Sequence, residues 1–115
     1  MNAKRYCLAL DLKDDETLIA QYEHYHRSEH IWQEIVEGIK ACNILDMEIY
    51  RVGNRLFMIL ETTEAFDMER DFAKMASLPR QKEWAELMRK FQQPLPFAQK
   101  DELWMTMTRI FQLHP

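Results

Sequence analysis

The sequence predicts an α+β domain of the ferredoxin-like type, a β-α-β-β-α-β sandwich in which one antiparallel sheet carries its helices on one face. Three observations lead to this prediction. The periodicity of apolar residues gives that order of elements, Gly53-Asn54 joins the two middle strands as a tight turn, and 115 residues suffice for one hydrophobic core. We therefore expect residues 1–115 to form a single domain of the dimeric α/β barrel type.

The first strand and the helical segments that follow it are predicted from residue spacing. Residues 5–12 alternate large apolar side chains with smaller ones, as a half-buried strand does. Asp14 or Asp15 can cap the next helix, whose apolar residues repeat at helical spacing as far as residue 26. Arg27-Ser28-Glu29 interrupts that helix before the apolar stripe resumes at residue 31 and continues to about residue 41.

The middle of the chain predicts a β-hairpin. Residues 44–52 and 56–61 are rich in residue types that favour strands. Gly53 lies between them and supplies the positive φ angle that a two-residue turn requires. This hairpin places the second and third strands side by side.

The last part of the chain predicts further helix and a closing strand. Residues 66–78 have the spacing of an amphipathic helix, and Pro79 begins a second helical segment with an apolar face. Pro94 and Pro96 end that segment. Residues 103–113 alternate in apolar character and predict the last strand of the sheet.

The composition argues against several classes of protein. A formal net charge of −4 leaves no basic stripe for a phosphate backbone, which argues against nucleic-acid binding. No segment reaches the length of about 18 uninterrupted apolar residues that a membrane span needs. The two cysteines, Cys7 and Cys42, indicate buried thiols rather than a disulfide framework. We expect a cytoplasmic protein.

Apolar residues on both sides of the predicted strands indicate a homodimer. One face of the sheet packs against the helices, and the other face, which also carries Met, Ile and Phe, needs a cover. A second copy of the chain can supply that cover. The eight methionines are typical of adaptable core or interface packing rather than of a sulfur metal site.

The side chains best suited to moving protons lie in residues 22–32, which include three of the four histidines. On a helix, Tyr22 and His26 are four residues apart and project from one face. Histidine exchanges protons near neutral pH because its ordinary pKa is roughly 6.5. The two residues are therefore a candidate acid/base pair, although Tyr and His on an amphipathic helix also serve as half-buried packing residues.

Two other functions stay open at this point. The first is a metal site, because His26 and His30 have a spacing that zinc can use and His24 and Glu34 lie nearby. The helix interruption near Ser28 argues against it. The second is a non-catalytic sugar or metabolite sensor on the same dimeric scaffold, because a fold does not determine a function.

Six segments of the sequence carry a resemblance to a known family. They are Tyr22–His26, Ile31–Ile35, Met47–Arg51, Gly53–Met58, Leu78–Trp84 and Ile110–Leu113. Together they resemble the L-rhamnose mutarotase family over nearly the whole chain. The Gly-Asn-Arg-Leu-Phe and Leu-Pro-Arg-Gln sequences are similar to the branch of the family that uses L-fucose.

The resemblance implies a dimeric α+β protein that interconverts the α and β anomers of a 6-deoxy sugar, L-rhamnose or L-fucose, without a metal or cofactor. His26 matches the family's proton donor, and Tyr22 matches its substrate-binding tyrosine. Trp84 matches the first of two tryptophans that line the sugar pocket, whereas Ala85 stands where the second is expected.

The departures from the family pattern leave the acid/base residues in place and alter the pocket wall. Met47 stands where a second pocket tyrosine is expected, and we expect it to contact the methyl group of the sugar. Two residues are inserted between His26 and Trp32, which reshapes the rim. We expect Trp84 and Trp32 to stack on the sugar, with core packing as the alternative.

His26 is expected to protonate the ring oxygen while Tyr22 holds or relays a proton at a neighbouring hydroxyl.

Overall fold

Within residues 3–114, one antiparallel sheet of five strands organises the fold, and four helices lie between these strands in sequence. The computed structural model describes residues 3–114. Its elements are β1 (Lys4–Leu12), α1 (Glu16–Tyr25), α2 (Gln33–Lys40), β2 (Ile44–Val52), β3 (Arg55–Thr62), α3 (Met68–Ala76), α4 (Gln81–Arg89), β4 (Gln92–Gln93) and β5 (Met105–Thr106). The sheet order is β2-β3-β1-β4, and β5 pairs with β1 as well. The predicted ferredoxin-like α+β fold is confirmed.

Most of the predicted elements occur where the sequence places them. Gly53 adopts a φ angle of 58° between β2 and β3, as the hairpin requires. Asp15 caps α1, because its side chain accepts a hydrogen bond of 3.0 Å from the backbone N–H of Leu18. The predicted interruption after residue 26 separates α1 from α2. Local chemistry therefore determines the first half of the fold.

The predicted strand over residues 103–113 is wrong over most of its length. Only Met105–Thr106 pairs with β1, and Gln92–Gln93 pairs with it further along the same edge. Pro94 and Pro96 cannot donate to the ladder, so the chain leaves the edge between the two short strands. After residue 107 the tail has no regular structure, and Ile110 is 95 % exposed.

The side of the sheet that faces the helices carries the core. Leu8 of β1 and Ile49 of β2 both pair with Met58 of β3, so the three side chains share one face. The buried residues form two clusters, and Ile49 and Trp104 contact both of them. One cluster lies against α3 and the other against α1 and α4. This divided core leaves room for a cavity between its halves.

The opposite face of the sheet is partly apolar and partly charged. Tyr50 and Val52 of β2 are 53 % and 64 % exposed there. Asp11 is buried on the same face, and its carboxylate accepts a hydrogen bond of 2.7 Å from Arg55 on the neighbouring strand.

None of the helices in residues 3–114 has both the length and the apolarity to cross a bilayer.

The divided core predicts a strong contrast between two leucine substitutions. Leu60 is fully buried in β3, so Leu60→Ala should lower the free energy of unfolding by about 2–5 kcal/mol through lost burial and a residual cavity. Leu45 is 58 % exposed, so Leu45→Ala should change it by about 0.5 kcal/mol or less. Urea unfolding followed by circular dichroism measures both. Equal effects would contradict the assigned core.

Candidate active site

A cavity of about 700 Å³ lies between the inner face of the sheet and the helices. Its wall is mostly apolar and includes Met47 and Met58 from the sheet. Tyr22 and His26 from the first helix reach the same cavity, as does Trp84 from α4. The volume lies within the range of about 300–1,000 Å³ that is typical of small-molecule sites. The cavity therefore holds four of the five site residues predicted from the sequence.

Tyr22 and His26 are brought together by the end of α1. The helix ends at Tyr25, and the backbone N–H of His26 donates to the carbonyl of Glu23 instead of that of Tyr22. The carbonyl of Tyr22 is therefore left without its helical partner. The aromatic rings of Tyr22 and His26 lie 4.2 Å apart, centroid to centroid.

The imidazole of His26 forms a hydrogen bond with that free carbonyl. Its Nδ1 lies 2.7 Å from the backbone oxygen of Tyr22. A carbonyl oxygen only accepts hydrogen bonds, so Nδ1 must carry the proton. In the neutral ring, Nε2 is then the nitrogen with the free lone pair. The end of the helix thus selects one tautomer of His26.

Burial sets the charge state of both residues. It lowers the pKa of His26 below its ordinary value, and the hydrogen bond to the Tyr22 carbonyl opposes this only in part. Burial also raises the pKa of the Tyr22 phenol far above its usual range. At neutral pH the site therefore holds a neutral imidazole, which can accept a proton, and a neutral phenol, which can donate one.

The Tyr22 hydroxyl is directed to the cavity. The residue is only 4 % exposed, yet within residues 3–114 its hydroxyl has no hydrogen-bond partner and is not among the fully enclosed polar atoms without one. Its oxygen is therefore accessible, and Tyr22 lines the cavity. A ligand in the cavity can meet this hydroxyl directly.

Trp84 lies between His26 and Trp32 and contacts both rings edge to face. The ring centroids of Trp84 and His26 lie 5.3 Å apart, and those of Trp84 and Trp32 lie 5.2 Å apart. The guanidinium carbon of Arg80 lies 3.8 Å from the ring centroid of Trp32, a cation–π contact. Trp32 is not on the cavity wall, so the structure places it behind Trp84.

The other histidines lie apart from the cavity. His24 and His30 are exposed and stack on each other with ring centroids 4.0 Å apart. Within the described residues, no group of three or more His, Cys, Asp or Glu side chains has an arrangement that would hold a metal ion. A further hollow of about 480 Å³ lies between the start of β1 and the tail, and none of the predicted site residues lines it.

Comparison with known proteins identifies the family. Residues 5–113 match a family model described as L-rhamnose mutarotase. The chain belongs to the L-rhamnose mutarotase family. It is therefore an isomerase, a sugar mutarotase. The resemblance that the six sequence segments indicate is confirmed.

Two proteins and one solved structure are similar to this chain over most of its length. The chain is 41 % identical over 113 residues to an L-fucose mutarotase of Xanthomonas campestris pv. campestris, covering 98 % of this chain and 90 % of that protein. It is 40 % identical over 114 residues to a UPF0734 protein of Dictyostelium discoideum, covering 96 % and 90 %. The crystal structure of an L-rhamnose mutarotase from Formosa agariphila matches its fold with a TM-score of 0.68 at 17 % identity, covering 96 % of this chain and 98 % of that one.

The structure also brings residues to the cavity that the sequence analysis did not single out for the site. Trp104, Arg89 and Gln92 line the wall, together with Ala85, which the sequence analysis had placed at the position of the second tryptophan. Arg89 lies four residues after Ala85 on α4, which is a helical signal for it, whereas Gln92 lies in β4 opposite Leu12. Trp104 and Thr106 share a face through strand alternation, which also indicates their common direction.

Proposed function

We propose that this mutarotase interconverts the α and β anomers of a 6-deoxy hexose, L-fucose or L-rhamnose, as one domain over residues 1–115. The observation that carries the proposal is the placement of Tyr22 and His26 side by side on the wall of one cavity. The names of the Xanthomonas and Formosa proteins support these two sugars as candidates.

The proposed chemistry needs one base and one acid. The base removes the proton of the anomeric hydroxyl, the acid protonates the ring oxygen, and the ring opens to an aldehyde. Rotation about the C1–C2 bond followed by reclosure gives the other anomer. Each proton transfer can contribute roughly 10²–10⁴-fold to the rate. These steps need no redox change and no covalent bond to the protein, so we propose that the reaction uses no metal or cofactor.

We assign the base to Nε2 of His26 and the acid to the phenol of Tyr22. The proton on Nδ1 is committed to the Tyr22 carbonyl, so Nε2 has to accept a proton before it can give one. Tyr22 keeps its proton at neutral pH, and its hydroxyl has no protein partner within residues 3–114. The family resemblance implies the opposite roles, in which His26 donates the proton to the ring oxygen. Our assignment makes His26 the base and Tyr22 the acid.

The cavity wall suits the rest of the sugar. Trp84 offers an aromatic face or edge to the C–H groups of the ring, and Met47 offers an apolar contact for the C6 methyl group. Trp32 packs against Trp84, so we propose that it positions Trp84 instead of touching the sugar.

The free thiols of Cys7 and Cys42 are consistent with the proposed cytoplasmic location.

We propose a homodimer in which the outer face of the sheet and the tail are covered by a second copy. Both carry exposed apolar side chains, among them Val52, Phe111 and Leu113 at 64 %, 75 % and 72 % exposure. Sedimentation equilibrium at micromolar concentration should give twice the chain mass of 13.9 kDa. A single species at the chain mass would contradict the dimer.

Two substitutions test the assigned base and acid. Saturation-transfer NMR on L-fucose and L-rhamnose should show faster exchange between anomers with the wild-type protein than in buffer. His26→Ala and Tyr22→Phe should each reduce the excess rate by about 10²–10⁴-fold, because each removes one proton transfer.

His24→Ala is the matched control, since His24 is exposed and does not line the cavity. It should exchange the anomers at the wild-type rate. Sugar binding with no acceleration by the wild-type protein would favour a non-catalytic sugar-binding domain instead. An unchanged rate in His26→Ala would remove His26 from the mechanism.

The role assignment predicts a one-sided pH profile. The base form of His26 is lost as the pH falls through its pKa, which lies below the ordinary value of 6.5. The enzyme-dependent rate should therefore drop on the acid side and stay level through roughly pH 7–9, because Tyr22 keeps its proton throughout this range. If imidazolium were the required donor, the rate would instead fall as the pH rises through neutrality.

A further inference from the structure

Gln81 is a polar residue in the mostly apolar wall of the cavity, and it is only 8 % exposed. It is the first residue of α4 and lies on the helix face that also carries Trp84 and Met88, which line the same cavity. A buried amide without hydrogen-bond partners costs free energy, so each end of the Gln81 amide needs a partner. The assigned acid and base chemistry does not use this residue.

The nitrogen end of the Gln81 amide is held by α2. Its Nε2 donates a hydrogen bond of 3.3 Å to the backbone carbonyl of Glu34, in the first turn of α2. The reverse orientation of the amide would place Oε1 against that carbonyl, and two acceptors would then face each other. The contact with Glu34 therefore determines which end of the amide is the nitrogen.

Gly38 leaves the room that the Gln81 amide occupies. It is buried in α2, four residues after Glu34. A Cβ atom at position 38 would overlap Nε2 of Gln81. Glycine weakens a helix interior, so its presence here is explained by the close approach of the amide. The two helices together thus hold the side chain of Gln81 in one place.

The oxygen end of the Gln81 amide is left for a ligand. Within residues 3–114, Oε1 accepts no hydrogen bond, and it is not among the enclosed polar atoms that lack a partner. It is therefore accessible, on a side chain that lines the cavity. The wall thus contains an acceptor whose amide is already fixed by the protein.

A sugar in the cavity needs acceptors as well as donors. Besides the anomeric hydroxyl, a 6-deoxy hexopyranose has hydroxyls at C2, C3 and C4, and each can donate one hydrogen bond. Lys82 and Arg89 on the wall are exposed and carry donors only. A hydroxyl that loses water without gaining an acceptor costs binding energy. A buried amide oxygen meets this need where water competes least.

We propose that Gln81 binds the sugar by accepting a hydrogen bond at Oε1 from one of the hydroxyls at C2, C3 and C4, and that Gly38 positions it. This inference rests on the proposed mutarotase function and adds a substrate-binding residue to it. Trp84, one helical turn from Gln81, contacts His26, so one face of α4 meets both the proposed base and the amide. The bound hydroxyl does not react, so its hydrogen bond contributes mainly to KM.

A substrate-variant cycle tests the contact. The wild-type protein and Gln81→Met are compared on L-fucose or L-rhamnose, whichever exchanges faster, and on its 2-, 3- and 4-deoxy analogues. Gln81→Met should lower kcat/KM on the full sugar by about 5- to 100-fold, mainly through KM, because a hydroxyl is left without its acceptor. On one of the analogues the same substitution should change kcat/KM by less than about twofold, since that hydroxyl is already absent.

Gly38→Ala tests the positioning of the amide. In the wild-type background it should lower kcat/KM by about fivefold or more, because the added methyl group displaces Nε2 from the Glu34 carbonyl. In a Gln81→Ala background, which lacks the overlapping amide, it should change kcat/KM by less than about twofold. Equal losses in the two backgrounds would contradict the positioning role of Gly38.

Gln93→Met is the matched control, because Gln93 is exposed and is not on the cavity wall. It should leave kcat/KM unaffected on every sugar. An unchanged kcat/KM in Gln81→Met, or equal losses on the full sugar and on all of the deoxy analogues, would overturn the contact while leaving the mutarotase function intact. Failure of the wild-type protein to accelerate any of the sugars would overturn both.

Discussion

The hydrogen bond between Nδ1 of His26 and the carbonyl of Tyr22 is the contact on which the site depends. It forms because α1 ends one residue before His26, which leaves that carbonyl without its backbone donor. In the proposed mechanism Tyr22 therefore serves twice: its backbone sets the tautomer of the base, and its side chain supplies the acid. In that mechanism the interruption over Arg27-Ser28-Glu29 sets the tautomer of the base as well as connecting two helices.

The fold supports this contact by leaving its core divided. The inner face of the sheet is largely apolar; α3 packs on one half of it while α1 and α4 pack on the other, and the cavity lies between them. Burial lowers the pKa of His26 and raises that of Tyr22, so it produces one proton acceptor and one proton donor at neutral pH. Methionines on the wall fit such a space because their side chains adapt to irregular gaps.

The sequence was sufficient for features set by local chemistry. The Gly53 turn, the Asp15 cap and the four-residue spacing of Tyr22 and His26 each follow from one or two residues and their geometry. Features that depend on distant partners were not accessible in this way. The tail alternates like a strand, but strand formation needs a free edge, and the two prolines before it interrupt the pairing with β1. The position of Trp32 behind Trp84 likewise depends on how α2 and α4 pack.

The tautomer of His26 belongs to the same group of features, because it depends on where a helix ends to within one residue. It is also the point on which the assignment of acid and base rests. Two-dimensional ¹⁵N NMR of the histidine side chains, with the His26 signals identified by their absence in His26→Ala, reports it directly. The account predicts a neutral ring at pH 7.5 with the proton on Nδ1 and none on Nε2. A proton on Nε2, in either the other neutral tautomer or the imidazolium, would contradict it.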